Sequence, residues 1–188
     1  MPINQLHYDI TKTVDRKKLL IEISRLDIDS IICCAWWGPI ESFHEITEWS
    51  LDKTINLNLN AYIYLLSSLA LFIKKHDIDI VLIGATIWFK ANDHMPAYSI
   101  SKRWLRWLIE NLRSYMKESN SRIIWIHVWW MSTESNIGPS WRETLISKKT
   151  GKNIPTSLID PKDVALLIKV FLELPKHVEV SELILTKK

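Results

Sequence analysis

The chain has 188 residues, 47% of them hydrophobic and 24% charged, the size and balance of one globular domain with a real core rather than a disordered segment. Its net charge of +3 is spread without a basic block, which argues against nucleic acid as a partner. The first residues, MPINQLHYDITKTVD, lack the apolar core of a signal peptide, and no uninterrupted apolar stretch reaches the roughly 18 residues of a membrane span. A cytoplasmic protein without membrane contact is expected.

Residues 15–26 set Leu19, Leu20 and Ile23 among charges, the pattern of an amphipathic helix. Residues 28–34 are nearly continuously apolar, as in a parallel strand buried on both faces. Cys33 and Cys34 end this run; as strand neighbours they point to opposite faces and are expected to pack as free thiols in a reducing compartment. Residues 50–75 read as a second helix with the stripe Leu59, Ile63, Leu66, Ala70 and Ile73, and 79–83 as another buried strand. Residues 96–117 form a long helical pattern opened by Pro96, followed by a strand at 122–128. Residues 130–157 show no clean period and read as a lid-like excursion. Asp160 and Pro161 then cap a helix, and 181–186 close the chain with a strand. This alternation predicts one α/β domain over residues 1–188 built on a parallel sheet. The histidines and cysteines show no metal-ligand spacing, so no metal is expected.

In such sheets ligands bind beyond the carboxyl ends of the strands, here at 34–36, 83–86 and 128–130. Tyr98 follows the second of these ends closely. Lys102 lies four residues on and so shares its helix face. An ammonium beside a phenol favours the phenolate, lowering a pKa of about 10, which would give an acid/base pair without histidine or metal. Tyr-x-x-x-Lys is common by chance. Its place after a strand end is what points to chemistry.

Together these pieces resemble the classical short-chain dehydrogenase/reductase family. Asn58, in INLNLNAYIYLL, resembles the family's helix asparagine, and Tyr98 with Lys102 resembles its YxxxK pair. ICCAWW resembles the strand end written NNAG, IHVWWMST the HPGWVxT-like segment, PKDVA the PEDVA helix and HYDIT the DVT segment. The resemblance implies a Rossmann-like parallel sheet with flanking helices and hydride transfer between NAD or NADP and a small-molecule carbonyl or alcohol. Tyr98 would be the general acid/base, Lys102 would lower its pKa and bind the nicotinamide ribose, and Asn58 would hold a water of the proton relay. Thr133 would bond the nicotinamide amide, Asp9 would lie by the adenine, and Ala35 and Trp36 would border the cofactor. Assembly of identical subunits through the helices at 50–75 and 96–117 is implied as well.

Three departures shape the expectation. The family's first strand and glycine-rich phosphate turn precede its DVT segment, and nothing precedes HYDIT here, so an N-terminally truncated fold is expected, with an exposed edge beside residues 28–34. The family's substrate-binding serine is Ala85, which has no donor; Thr86 is the nearest hydroxyl. Tryptophan stands at five family glycine positions, Trp36, Trp88, Trp104, Trp107 and Trp129. The chain has 4 Gly and 10 Trp, against roughly 13 Gly for a chain of this length. Those counts match a gene in which UGA encodes glycine but was translated as tryptophan. The alternative is an inactive relative serving as a binding or assembly subunit.

Overall fold

A computed structural model of the chain describes residues 6–89, 92–133, 148, 151 and 158–188. Most of the expected excursion at 130–157 therefore lies outside the described residues. Among them the order is α1 (Thr13–Arg25), β1 (Ser30–Cys33), α2 (Glu48–Ile55), a wide π turn (Asn56–Asn60), α3 (Ala61–His76), β2 (Asp79–Ala85), α4 (Pro96–Met116), β3 (Ile123–Val128), α5 (Pro161–Glu173) and β4 (Glu182–Leu185). A 3-10 turn, Thr86–Phe89, follows β2. The strands form one parallel sheet in the order β1-β2-β3-β4, the Rossmann-like α/β arrangement the alternation predicted.

The period-2 geometry of strands divides the core in two. Ile80, Leu82, Ile123 and Trp125 face α3 and α4, where Leu66, Leu69, Ile73, Leu105 and Ile109 complete one cluster. Val81, Ile83, Ile124, Ile126 and Val128 face the other way and pack with Val164, Ile168 and Phe171 of α5. A run from Glu48 to His76 is long and apolar enough to cross a membrane by length and composition. In the fold that apolarity is used on Tyr62, Leu65, Leu66, Leu69 and Ile73, all buried.

β1 departs from expectation. It is an edge strand with only Cys33 buried, rather than a strand covered on both faces. Ile31 and Cys33 join the α3 cluster. Ile32 points the other way and is 45% exposed, because among the described residues α5 covers β2 and β3 but nothing covers this face. Cys34 is exposed, so only one of the two thiols serves packing. The stripe read for residues 50–75 also needs correction: Ile63 is 38% exposed, because the π turn shifts the phase of the helix that follows.

At the amino ends of β2 and β3 the sheet encloses an ion pair the sequence did not announce. Arg122 donates from Nη2 to Asp79 Oδ2 at 2.7 Å, and its remaining N–H groups reach the carbonyls of Leu172 and Leu174 at 3.1 and 2.8 Å. Lys176 Nζ adds a contact at 2.8 Å to Asp79 Oδ1. Burial works against the Asp79 carboxylate, but Arg122 and Lys176 outweigh it and hold its pKa below the usual value. Replacing Asp79 with Ala leaves the guanidinium buried without its counter-charge. We expect a loss of about 3–5 kcal/mol in unfolding free energy, measured by urea titration at neutral pH.

Candidate active site

The buried face of α4 reads Tyr98, Ser101, Lys102, Leu105, Ile109, Leu112, Met116, a single helical stripe. Its carboxyl half is core. Its amino half carries polar side chains on the same buried face, close to the carboxyl ends of β1 and β2. Pro96 at the first helical position starts the helix there.

Tyr98 is 7% exposed. Its ring lies between Gly38 and Trp36: a Cβ on Gly38 would come within 2.8 Å of the Tyr98 ring, and the Trp36 ring sits 5.3 Å away, tilted by 47°. Lys102 donates from Nζ to the carbonyl of Ile83 at 3.2 Å and lies 5.7 Å from the Tyr98 ring centroid. Burial pushes the Tyr98 pKa up. Burial also lowers Lys102 to about 8, with Cys34 and Cys33 opposing. The expectation that Lys102 lowers the Tyr98 pKa is thus not met in this geometry: the ammonium is over the ring, and loss of solvent governs both groups.

Asn58 sits in the π turn and is wholly buried. Its Oδ1 accepts from Trp37 N at 2.8 Å, and its Nδ2 donates to Trp37 O at 2.7 Å and to Ser101 Oγ at 3.0 Å. Ser101 in turn donates to the Tyr98 carbonyl at 2.7 Å. Asn58 therefore joins the loop after β1 to the second turn of α4. Sequence reasoning missed Ser101; a hydroxyl on the buried stripe of an amphipathic helix was the available signal.

The other expected residues divide. The Ala35 carbonyl accepts from Tyr62 Oη at 2.5 Å, so the strand end next to Trp36 is fixed from α3. Ala85 ends β2, and Thr86 opens the 3-10 turn half-buried beside it. Thr133 lies just past β3, its N–H bonded to Met131 O at 2.9 Å. Asp9 is not brought to the Tyr98 crevice. It accepts from Thr11 N and Oγ1 at 3.0 and 2.6 Å, bonds that lower its pKa. It lines a groove of about 590 Å³ with Trp49, Lys53, Asn56 and Leu57. At the rim Lys53 Nζ lies 4.4 Å from the Trp37 ring centroid and 4.9 Å from that of Trp49. No cluster of three or more metal-binding side chains occurs among the described residues.

The short chain dehydrogenase family matches residues 2–141. The chain belongs to the short chain dehydrogenase family. That family membership makes it a relative of oxidoreductases. It is similar to a sepiapterin reductase of Chlorobaculum tepidum, 27% identical over 181 residues, which cover 94% of this chain and 69% of that protein. Among solved structures, it resembles the closed form of a serine dehydrogenase complexed with NADP+, at a TM-score of 0.81 and 20% identity, covering 95% of this chain and 73% of the other. An alcohol dehydrogenase from the archaeon Thermococcus sibiricus complexed with 5-hydroxy-NADP gives 0.78 and 18%, covering 96% and 72%. At these identities the structures establish the Rossmann-like fold that this short chain dehydrogenase shares.

The lysine makes a prediction. An unfolded lysine keeps its proton to about 10.5, whereas Lys102 releases it near 8. Between those values the unfolded chain binds more protons, so stability rises with pH. Cys33, raised by burial from 9.0 to about 12, acts oppositely above 9.0. The lysine's effect is therefore clearest from about pH 8 to about pH 9, with a slope of at most about 1.4 kcal/mol per pH unit. Urea midpoints across that interval should rise in the native protein and lose this rise in Lys102→Met.

Proposed function

We propose that this short chain dehydrogenase transfers hydride between a nicotinamide cofactor and a small-molecule carbonyl or alcohol, with residues 1–188 acting as a single domain. The observation that carries this is the gathering of Tyr98, Lys102 and Asn58 into one buried polar cluster at the carboxyl ends of β1 and β2, with Asn58 bonded to Trp37 and Ser101 and Lys102 to the Ile83 carbonyl. Burial keeps the Tyr98 phenol protonated, the form required to donate a proton to a carbonyl oxygen. Lys102 carries the positive charge beside Tyr98, and Asn58 holds the Trp37 backbone on one side and the Ser101 hydroxyl on the other. Thr86 is the hydroxyl nearest the position of Ala85.

The residues around Tyr98 fit one end of NAD or NADP in kind: Lys102 would meet the nicotinamide ribose and Thr133 the amide, with Ala35 and Trp36 along the cofactor; Asp9, in the separate groove, would lie toward the adenine. The cofactor, when bound, supplies or accepts the hydride. Relatives described with NADP+ or 5-hydroxy-NADP support the choice of nicotinamide. Trp36 packs against the Tyr98 ring, where a smaller residue would leave space. Among the described residues there is no glycine-rich turn to meet the phosphates.

Trp36 and Ala85 also favour a second reading, an inactive relative that binds or assembles. Ile100, Trp104 and Trp107 form an exposed stripe along α4, with Trp104 at 60% and Trp107 at 72% exposure, a surface suited to a second copy of the chain. Both tryptophans stand at family glycine positions and are largely exposed, which supports the UGA reading; UGG codons at 36, 88 and 129 would end it.

Carbonyl reduction with NADPH or NADH separates the two functions. We expect turnover that falls at least about a thousandfold in Tyr98→Phe, with cofactor binding retained by tryptophan-fluorescence quenching. Cofactor binding without turnover in the native protein supports the binding reading. Trp36→Gly is expected to tighten the cofactor Kd by about tenfold, through space opened beside Tyr98; an unchanged Kd would show that Trp36 does not obstruct the site.

A further inference from the structure

The carboxyl end of β2 is held not only from α3 and α4 but also from the neighbouring strand, by a buried polar pair that the acid/base reading leaves unused. His127 is wholly buried on β3. Its backbone partners are Gly84 on β2 and Ile184 on β4. Nε2 lies 2.6 Å from Oε1 of Glu182 on β4, and the backbone of Ala85 stands on the ring's β2 side as an acceptor that favours its protonated form. Nδ1 points toward β2, since a Cβ on Gly84 would lie 2.9 Å from it. The absence of a side chain at Gly84 is thus what admits the imidazole. Trp125 packs across the ring at 3.9 Å, and Phe89 covers it at 5.2 Å.

The chemistry of these partners is one-sided. A carboxylate oxygen and a carbonyl oxygen both accept, and a neutral imidazole has a single N–H to give. Both bonds exist together only when the His127–Glu182 pair holds an extra proton, as imidazolium against carboxylate or as a neutral ring against a carboxylic acid. Without it, one ring nitrogen turns a lone pair toward an acceptor. The charged groups facing the ring are Glu182 from β4, which favours protonation, and Arg106 from α4, which opposes it; burial opposes it most and lowers the His127 pKa. The Glu182 side chain is 35% exposed, so the proton has a route to solvent.

We propose that His127 is a positioning residue that ties the carboxyl end of β2 at Ala85 to Glu182 on β4, and thereby fixes the Ala85–Thr86 turn bordering the Tyr98 crevice. Its catalytic consequence rests on the reading of that crevice as the reaction site. The tie is complete when the pair is protonated and relaxes when the proton leaves.

The test follows backbone amide resonances of Gly84, Ala85 and Thr86 in the isotope-labelled full chain, alongside the His127 ring resonance, from about pH 5 to about pH 8. The amides should titrate with the same midpoint as the ring. The transition should vanish in His127→Gln, and its midpoint should fall by about one pH unit in Glu182→Gln. Amides that stay flat while the ring titrates would overturn the proposal, as would an unchanged midpoint in Glu182→Gln. Where the native protein turns over, His127→Gln should lower kcat about tenfold and flatten its pH profile across the ring's midpoint, leaving KM for the cofactor within about twofold. A native chain without turnover removes the catalytic reading, and with it this residue's part in catalysis, while the tie itself stands or falls on the amides.

Discussion

The buried amide of Asn58 is the contact on which the crevice depends. It meets both the N–H and the C=O of Trp37 and still has a proton for Ser101. Were it absent, two backbone groups of a half-buried loop would lose their partners, at up to about 1–3 kcal/mol each where water cannot replace the amide. The π turn is what brings the amide there. By adding a residue to one turn, it rotates the side chain at 58 between the loop after β1 and the start of α4, while Leu59 and Tyr62 continue into the core. A local distortion of one helix thus sets the relative positions of two other elements.

The same crowding shapes the electrostatics. Tyr98 and Lys102 occupy the core face of α4, so burial governs their protonation more than their mutual charge does. The ordinary consequence would be a neutral phenol and a lysine close to losing its proton. A tyrosine so placed is a ready proton donor, and its return to the phenolate would need positive charge brought nearer than the Lys102 ammonium now stands. Trp36 leans on the phenol ring and shields it from that side. The carboxyl ends of the strands are braced from two sides at once, by Tyr62 on the Ala35 carbonyl and by Lys102 on the Ile83 carbonyl.

The elements with strong periodicity were legible before any coordinates. α4 was read within a residue of its end because the apolar positions from Leu105 to Met116 keep one helical phase, and Asp160 was recognised as a cap because an acceptor side chain ahead of Pro161 has few other uses; it bonds Lys162 N at 2.8 Å. β1 was read as doubly covered because composition reports apolarity and not the neighbours that cover it. The phase slip at Asn56–Asn60 escaped the stripe drawn through Ile63, since a π turn leaves no clear mark in residue type.

For the site, the sequence by itself determined the inventory and its order: Tyr98 and Lys102 one turn apart on one face, Asn58 in the preceding helix, Ala85 without a donor at the end of a strand. Those follow from residue chemistry and helical geometry alone. Tertiary structure decided which inventory members meet. Ser101 acquired its role from Asn58, 43 residues away; Arg122 from Asp79 at the same separation; and His127 from Glu182, 55 residues on. It also left Asp9 outside the Tyr98 crevice and set Trp36 against the tyrosine. Such pairings depend on strand order, register and burial, which arise only when distant segments pack, and so no local pattern in the chain encodes them.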